Sequence, residues 1–223
     1  MISEIYSPPR ITKEIVKGGW KHVAPGFALD LTVTDPHDGC PWDFSRPDKR
    51  RRALELLREQ KPYLLIGSPE CKAFSTWMAL NPARARDTEA IDKSLARAKR
   101  HLEFVASLYE EQLAGGRYFL HEHPLHASSW AIPSIEAIRK MAGVQRVHGD
   151  QCQFGAQVGD GPATGQPVKK PSGFMTNSAC IAAALSRTCQ GTGGWCSRLK
   201  GGRHEPCSGK VAAAAQVYPR ALC

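Results

Sequence analysis

Apolar residues gather in short runs at 4–6, 27–31, 63–66, 118–120, 144–147 and 173–176, and each run is the length of a buried strand. Between them the apolar period changes to that of a helix. Ile11, Ile15 and Val16 mark a short helix over 10–17 that the pair Gly18-Gly19 ends. Ala53, Leu54, Leu56 and Leu57 give Pro47–Gln60 one apolar face, with Ser45 as its expected N-cap. Leu95, Ala98, Leu102, Val105 and Tyr109 predict the longest helix, 88–113, closed by Gly115-Gly116. Shorter helices are predicted at 133–141 and 179–187. Strands alternating with helices across short connections predict an α/β fold, a Rossmann-like doubly wound and mostly parallel sheet. Residues 155–171 are rich in Gly and Pro and read as a long loop, and 191–209 as a loosely ordered Gly- and Cys-rich stretch.

Composition narrows the setting. At 223 residues and 42% hydrophobic the chain can bury a core. No apolar run approaches the ~18 residues of a membrane span. No basic segment leads into an apolar one at the start, so no secretory leader is expected. Eight cysteines in this context imply reduced thiols and an intracellular setting. The net charge of +9 is uneven: from Gln151 onward eight Lys or Arg face two acids, Asp160 and Glu205. A basic final third suits a polyanion, most simply nucleic acid. Arg50-Arg51-Arg52 opens a helix and reads as a solvated face.

Chemistry concentrates in Gly67-Ser-Pro-Glu-Cys-Lys-Ala-Phe-Ser75, which follows the run 63–66. A strand that ends in this way presents Cys71 at the carboxyl edge of a sheet, where open α/β folds bind ligands. A thiolate there is a nucleophile, and Lys72 beside it favours the charged form. Phe74 and Trp77 are placed to pack the loop or meet a base. The next predicted strand ends in His121-Glu122-His123, which brings Glu122 to the same edge. The trio fits an acid partner for the thiol, a structural cluster or a metal site. Strand alternation sends both histidines one way and Glu122 the other, which favours the acid role over a shared metal. Cys189, Cys196, His204 and Cys207 form a zinc-capable set. Its spacing matches no compact finger, so no metal is assigned.

With these residues on the page, Gly67-x-Pro-x-Cys71-x-x-Phe74-Ser75 resembles the catalytic loop of the DNA cytosine-5 methyltransferases, Gly-Pro-Pro-Cys-Gln-x-Phe-Ser. His121-Glu122-His123 falls where that family has Glu-Asn-Val, and Glu4-Ile-Tyr-Ser7 resembles its first-strand motif. The order of elements matches over about residues 3–125, and the segments 150–155 and 170–177 resemble later parts of phage-type members. The chain is also similar to a domain of retroelement-encoded polyproteins.

The resemblance implies a methyltransferase-like domain at 1–188 with a basic tail at 189–223. It implies S-adenosylmethionine as cosubstrate, held by Ser7, Asp30, Asp43, Gly67 and Pro69. It further implies Cys71 as nucleophile and Glu122 as the acid on the target base. DNA is the expected partner, in an intracellular setting that includes the nucleus. Its contacts are expected at Lys72, Phe74, Lys169, Lys170, Arg198, Lys200 and Arg203. The chain departs from the family in lacking the long target-recognition region and the closing helix, and in two of the motifs themselves. Ser7-Pro-Pro-Arg10 stands for the glycine-rich turn, and Glu70 separates Pro69 from Cys71. Three readings therefore stand side by side: a methyltransferase, a nucleic-acid-binding module that kept the fold without the pocket, and a cysteine-dependent enzyme on another substrate.

Overall fold

A computed structural model describes residues 1–74 and 88–222. Among them, six strands form one sheet: β1 (Ile2–Ile5), β2 (Pro25–Leu29), β3 (Leu64–Gly67), β4 (Tyr118–Pro124), β5 (Gln145–Asp150) and β6 (Pro171–Thr176). The helices are α1 (Ile11–Gly18), α2 (Pro47–Gln60), α3 (Thr88–Ala114), α4 (Pro133–Arg139), α5 (Ala179–Leu185) and α6 (Gly209–Ala214). The sheet order is β2-β1-β3-β4-β6-β5. β1 runs parallel to β2 and β3, and β3 parallel to β4. The predicted α/β fold with a mostly parallel sheet is therefore present. The motif residues Ser75 and Trp77 lie outside the described residues.

One strand departs from the alternating pattern. β6 inserts between β4 and β5 and is antiparallel to both. A parallel return needs a long crossover, usually helical. The link 151–170 carries a 3-10 turn (Gln151–Phe154) and two isolated bridges, Gln157 to Pro167 and Val168 to Glu205, but no helix long enough for a crossover. The chain consequently doubles back.

Helices cover both faces of the sheet. On one, Leu65 and Phe119 pack with Ala53 and Leu57 of α2, Leu102, Val105 and Tyr109 of α3, and Ile135 and Ile138 of α4. On the other, Leu64 and Ile66 pack with Ile11 and Ile15 of α1, with Leu120 and Ile181 alongside. β3 is buried at all four positions, as a central strand covered on both sides must be. A Cβ on Gly67 would stand 2.1 Å from the Tyr109 hydroxyl, so the missing side chain is what lets α3 approach β3. Among the described residues no helix is long and apolar enough to cross a membrane.

The helix ends show where local sequence rules held and where they did not. Gly19 caps α1 in the left-handed region (φ 59°). α2 does not use Ser45: Pro47 takes the first helical position, so the cap falls on Arg46, with no side-chain bond. Ser45 instead donates its N–H to Asp43 Oδ1. Lys49 of α2 is buried, bonded to Asp35 (2.8 Å) and Asp38 (2.7 Å) and lying over the Trp42 ring. The three arginines that follow it were expected on a solvated face, but Arg50 folds back to the carbonyls of Phe44 and Ser45.

The start of α1 is organised by Glu4. Its carboxylate, 1% exposed, accepts the N–H groups of Arg10 (3.1 Å), Ile11 (3.2 Å) and Thr12 (2.8 Å). The hydroxyls of Ser7 (3.0 Å) and Thr12 (2.7 Å) complete the shell. A negative charge at a helix N-terminus meets both the orphan donors and the helix dipole. Replacing Glu4 by Ala strands several buried donors and is expected to cost at least about 2 kcal/mol in urea unfolding, with Glu4→Gln costing less. A Glu4→Ala chain within about 0.5 kcal/mol of the parent, the range of an ordinary surface change, would contradict this role.

Candidate active site

β3 and β4 are parallel neighbours in register, Gly67 opposite His121, so their carboxyl ends open on the same edge. The order of the sheet reverses between β1 and β3, which makes this edge a topological switch point. The loop leaving β3 carries Ser68, Pro69 and Cys71 and closes with a 3-10 turn (Lys72–Phe74), in which the Phe74 N–H donates to the Cys71 carbonyl (3.0 Å).

The His-Glu-His trio divides across the sheet. His121 and His123 enter the α3 face, stacked at 5.2 Å between centroids, with Trp130 edge-on to both. His123 Nε2 lies 3.0 Å from the Pro69 carbonyl, which can only accept, so Nε2 carries the proton. Nδ1 then accepts from the Ser129 hydroxyl at 2.6 Å. Burial drives the His123 pKa down to about 4, keeping the ring neutral. His123 is thus the brace of the Cys71 loop. Tyr109 bonds His121 Nδ1 at 3.0 Å, and burial holds His121 neutral as well.

Glu122 takes the opposite direction. Its Oε1 accepts from Ser172 (2.8 Å), which in turn accepts from the Gln151 amide (3.0 Å). Its Oε2 accepts from the hydroxyl of Tyr218 (2.7 Å). Ser68 is 2.7 Å from the same hydroxyl and, since the Tyr218 proton goes to Glu122, donates to it. Burial and the Glu122 charge push the Tyr218 pKa far up, so the phenol stays protonated. Tyr218 arrives on the segment that follows α6, and three basic side chains seat that segment. Arg10 bonds the Gln216 carbonyl (2.6 Å), Lys170 the Ala215 carbonyl (3.1 Å), and Arg220 pairs with Glu14 (3.0 Å). Arg10 and Lys170 also lie over the Tyr218 ring, and Lys169 reaches toward Asp150 (3.7 Å) at the root of the loop.

Cys71 and Glu122 are close enough to interact electrostatically. Burial raises the Cys71 pKa most, the Glu122 charge raises it further, Lys170 opposes, and Glu70 adds a smaller push upward. The resting group is a thiol.

The remaining predicted residues are more dispersed. Ser7 is buried and turned to Glu4, on the α1 side. Asp30 accepts the N–H and hydroxyl of Thr32 within its own turn. Asp43 sits by Tyr6, His101 and Arg97. Burial works against its charge, but the hydrogen bonds from Ser45 and the Arg97 charge keep its carboxyl below the ordinary range. The Tyr6 hydroxyl bonds His101 (2.9 Å) and its ring meets Phe44 at 4.8 Å. Gly67 packs against Tyr109 of α3, and the Pro69 carbonyl bonds His123. Phe74 is 2% exposed against His123, a core position and not a stacking platform, whereas Lys72 is exposed beside it. Lys200 and Arg203 are exposed and Arg198 half-buried, all on the segment after α5.

Ser68, Gln151 and Ser172 lie in segments that the sequence singles out, 67–75, 150–155 and 170–177, but nothing there assigns them a role. Tyr218 carries no signal, since nothing local ties it to residue 122.

The charges around Cys71 predict a measurable pH shift. In alkylation by iodoacetamide followed across pH, Glu122→Gln removes the repelling charge but keeps an acceptor for Tyr218, so the midpoint should fall. Lys170→Met removes the attracting charge, so the midpoint should rise. Unchanged midpoints in both variants would show that Glu122 and Lys170 do not act on the thiol.

No family model matches the sequence, and neither a curated protein nor a solved structure matches it significantly.

Proposed function

We propose that the chain is a DNA (cytosine-5) methyltransferase-like protein in which Cys71 and Glu122 engage the target base. The observation that carries this reading is the thiol and the carboxylate on neighbouring parallel strand ends at the switch point, with Glu122 already bonded to the hydroxyl of an aromatic ring. The Tyr218 ring sits where a planar base would sit, polar atom against Glu122.

In the proposed chemistry Cys71 passes its proton to the Glu122 carboxylate and its sulfur adds to C6 of cytosine. A C–S bond forms, the C5–C6 double bond opens, and electron density gathers at C5. The Glu122 carboxyl, now protonated, donates to N3 and steadies the charge that develops on the ring. A base in a duplex must leave the stack to reach this edge. Tyr218 must also leave, and its departure takes one donor from Glu122.

S-adenosylmethionine, which supplies the methyl group in the family that the chain resembles, fits these residues only in part. Asp30 and Asp43 are partly exposed acids after β2, suited to the hydroxyl and amine groups of a nucleoside. The amino-acid half of the cosubstrate finds less. The α1 amides are taken by Glu4, and Pro8 and Pro9 bring no N–H. These same observations favour a second reading, a nucleic-acid-binding module of retroelement type with a base-sized cleft and no methyl transfer. Both readings give the protein a nucleic-acid partner, DNA in the first, and a setting inside the cell that includes the nucleus.

A DNA oligonucleotide carrying 2-pyrimidinone, whose C6 is more electrophilic than that of cytosine, tests the base-engaging pair without a cosubstrate. Mass spectrometry should find an adduct on Cys71, lost in Cys71→Ser, retained in Cys40→Ser and increased in Tyr218→Ala. Absence of the adduct even in Tyr218→Ala would defeat the enzyme reading. Thermal unfolding then separates the two readings. S-adenosylmethionine at ~100 times its Kd should stabilise a methyltransferase by ~2.7 kcal/mol and a binding module not at all.

Nucleic-acid binding itself should depend steeply on salt. Changing Arg198, Lys200 and Arg203 together to Ser should weaken binding and flatten the plot of log K against log salt, by roughly 0.9 per lost phosphate contact on duplex DNA. An unchanged slope would remove this segment from the interface.

A further inference from the structure

Three thiols and an imidazole converge at the far edge of the sheet, away from Cys71. Cys152 lies in the 3-10 turn that follows β5 and is fully buried. Cys189 follows α5, and Cys196 and His204 come from the loop after it. One ligand atom of each lies within 4.8 Å of all the others. Cys207, the fourth member of the set that the sequence offered, is not among them; Cys152, far earlier in the chain, takes its place.

The distances are those of a coordination shell. Cys189 Sγ is 3.9 Å from Cys196 Sγ and 3.6 Å from His204 Nε2. Around a tetrahedral Zn2+, with Zn–S near 2.3 Å and Zn–N near 2.0 Å, adjacent ligand atoms stand about 3.5–3.8 Å apart. A disulfide would need a sulfur separation of ~2.05 Å, so the 3.9 Å pair is not one.

Donors surround the sulfurs as they would surround thiolates. The Ser197 N–H (3.4 Å) and hydroxyl (3.5 Å) both point to Cys189 Sγ. The Gln153 amide reaches Cys152 Sγ (3.5 Å) and Cys196 Sγ (3.6 Å). Such outer hydrogen bonds are the usual support of metal ligands.

The backbone is shaped to the same end. The Cys196 N–H donates to Gly202 (2.8 Å) and the His204 N–H to Gly194 (2.7 Å), a tight loop that presents both ligands on one side. A Cβ on Gly191 would stand 1.8 Å from the Trp195 carbonyl, and one on Gly201 would stand 2.8 Å from Cys196 Cβ. Asp150 fixes the other wall, accepting the Cys189 N–H through its carboxylate (2.7 Å).

We propose that Cys152, Cys189, Cys196 and His204 bind one Zn2+ ion in a closed structural site. Thiolate and imidazole ligands in a tetrahedron select zinc, and four protein ligands leave no position for substrate. The ion ties the turn after β5 to the segment after α5. That segment leads through α6 to Tyr218, which bonds Glu122.

The full chain, expressed with zinc and passed through a desalting column, should carry about one zinc per molecule by plasma mass spectrometry. Exchange with Co2+ should give thiolate-to-cobalt charge transfer and the d–d bands of a tetrahedral site. Cys152→Ser and His204→Ala should weaken binding by more than the roughly 10–100-fold that loss of an outer partner costs, while Cys207→Ser and Cys180→Ser leave it unchanged. If the ligand variants fail to fold, the cobalt spectrum of the parent chain decides alone. A chain without stoichiometric zinc, one that carries iron, an octahedral cobalt spectrum, or zinc lost in Cys207→Ser but kept in Cys152→Ser would each overturn the assignment.

Discussion

Successive side chains of β4 leave the sheet on opposite faces, and the whole candidate site hangs on which residue goes where. With Gly67 opposite His121, the odd positions Phe119, His121 and His123 enter the α3 face, and Glu122 faces Ser172 and Tyr218. A slip of one residue would bury a carboxylate against Tyr109 and Trp130 and put two imidazoles beside Cys71. Two features oppose that slip. The Tyr109 hydroxyl sits over Gly67 in a space that only glycine leaves, and His123 is tied to the Pro69 carbonyl. The apolar face therefore sets the polar one: aromatic packing against α3 determines where the acid points.

Much of this architecture is legible from local patterning. α2 spans the predicted residues, β3 and β4 follow their apolar runs, and the opposed directions of Glu122 and its histidines follow from strand alternation alone. The direction of β6 was not legible, because it depends on the absence of a crossover helix in a stretch whose only signal is Gly and Pro. Nor was the role of Glu4. In sequence it is one acid near a strand; in the fold it caps a helix six to eight residues later. Tyr218 and Cys152 mark the hardest limit. Each meets partners dozens of residues away, and spacing rules written for compact motifs cannot see such pairs. The stretch 191–209, read as loose from its glycines, uses them instead for close turns around Cys196 and His204.

The electrostatics of the site describe a resting state. A buried thiol beside a carboxylate is held protonated, and the phenol that bonds the carboxylate is held protonated too. Lys170 is the balancing charge, yet it is occupied with the Ala215 carbonyl and the Tyr218 ring. Withdrawal of the segment after α6 would free that cation and take one hydrogen-bond donor from Glu122.

The seat of Tyr218 also has an arithmetic. The ring is joined to the rest of the chain, so it competes as a tethered ligand, at an effective concentration of the order of millimolar for a short flexible connection. A free base or nucleotide at micromolar concentration would be outcompeted by mass action alone. A polymer is not in that position. In the proposed complex with DNA, phosphates held by exposed cations such as Lys200 and Arg203 would tether each base as well. The seat of Tyr218 would then favour a polymer over a monomer, because only a ligand with a second point of attachment matches the tether.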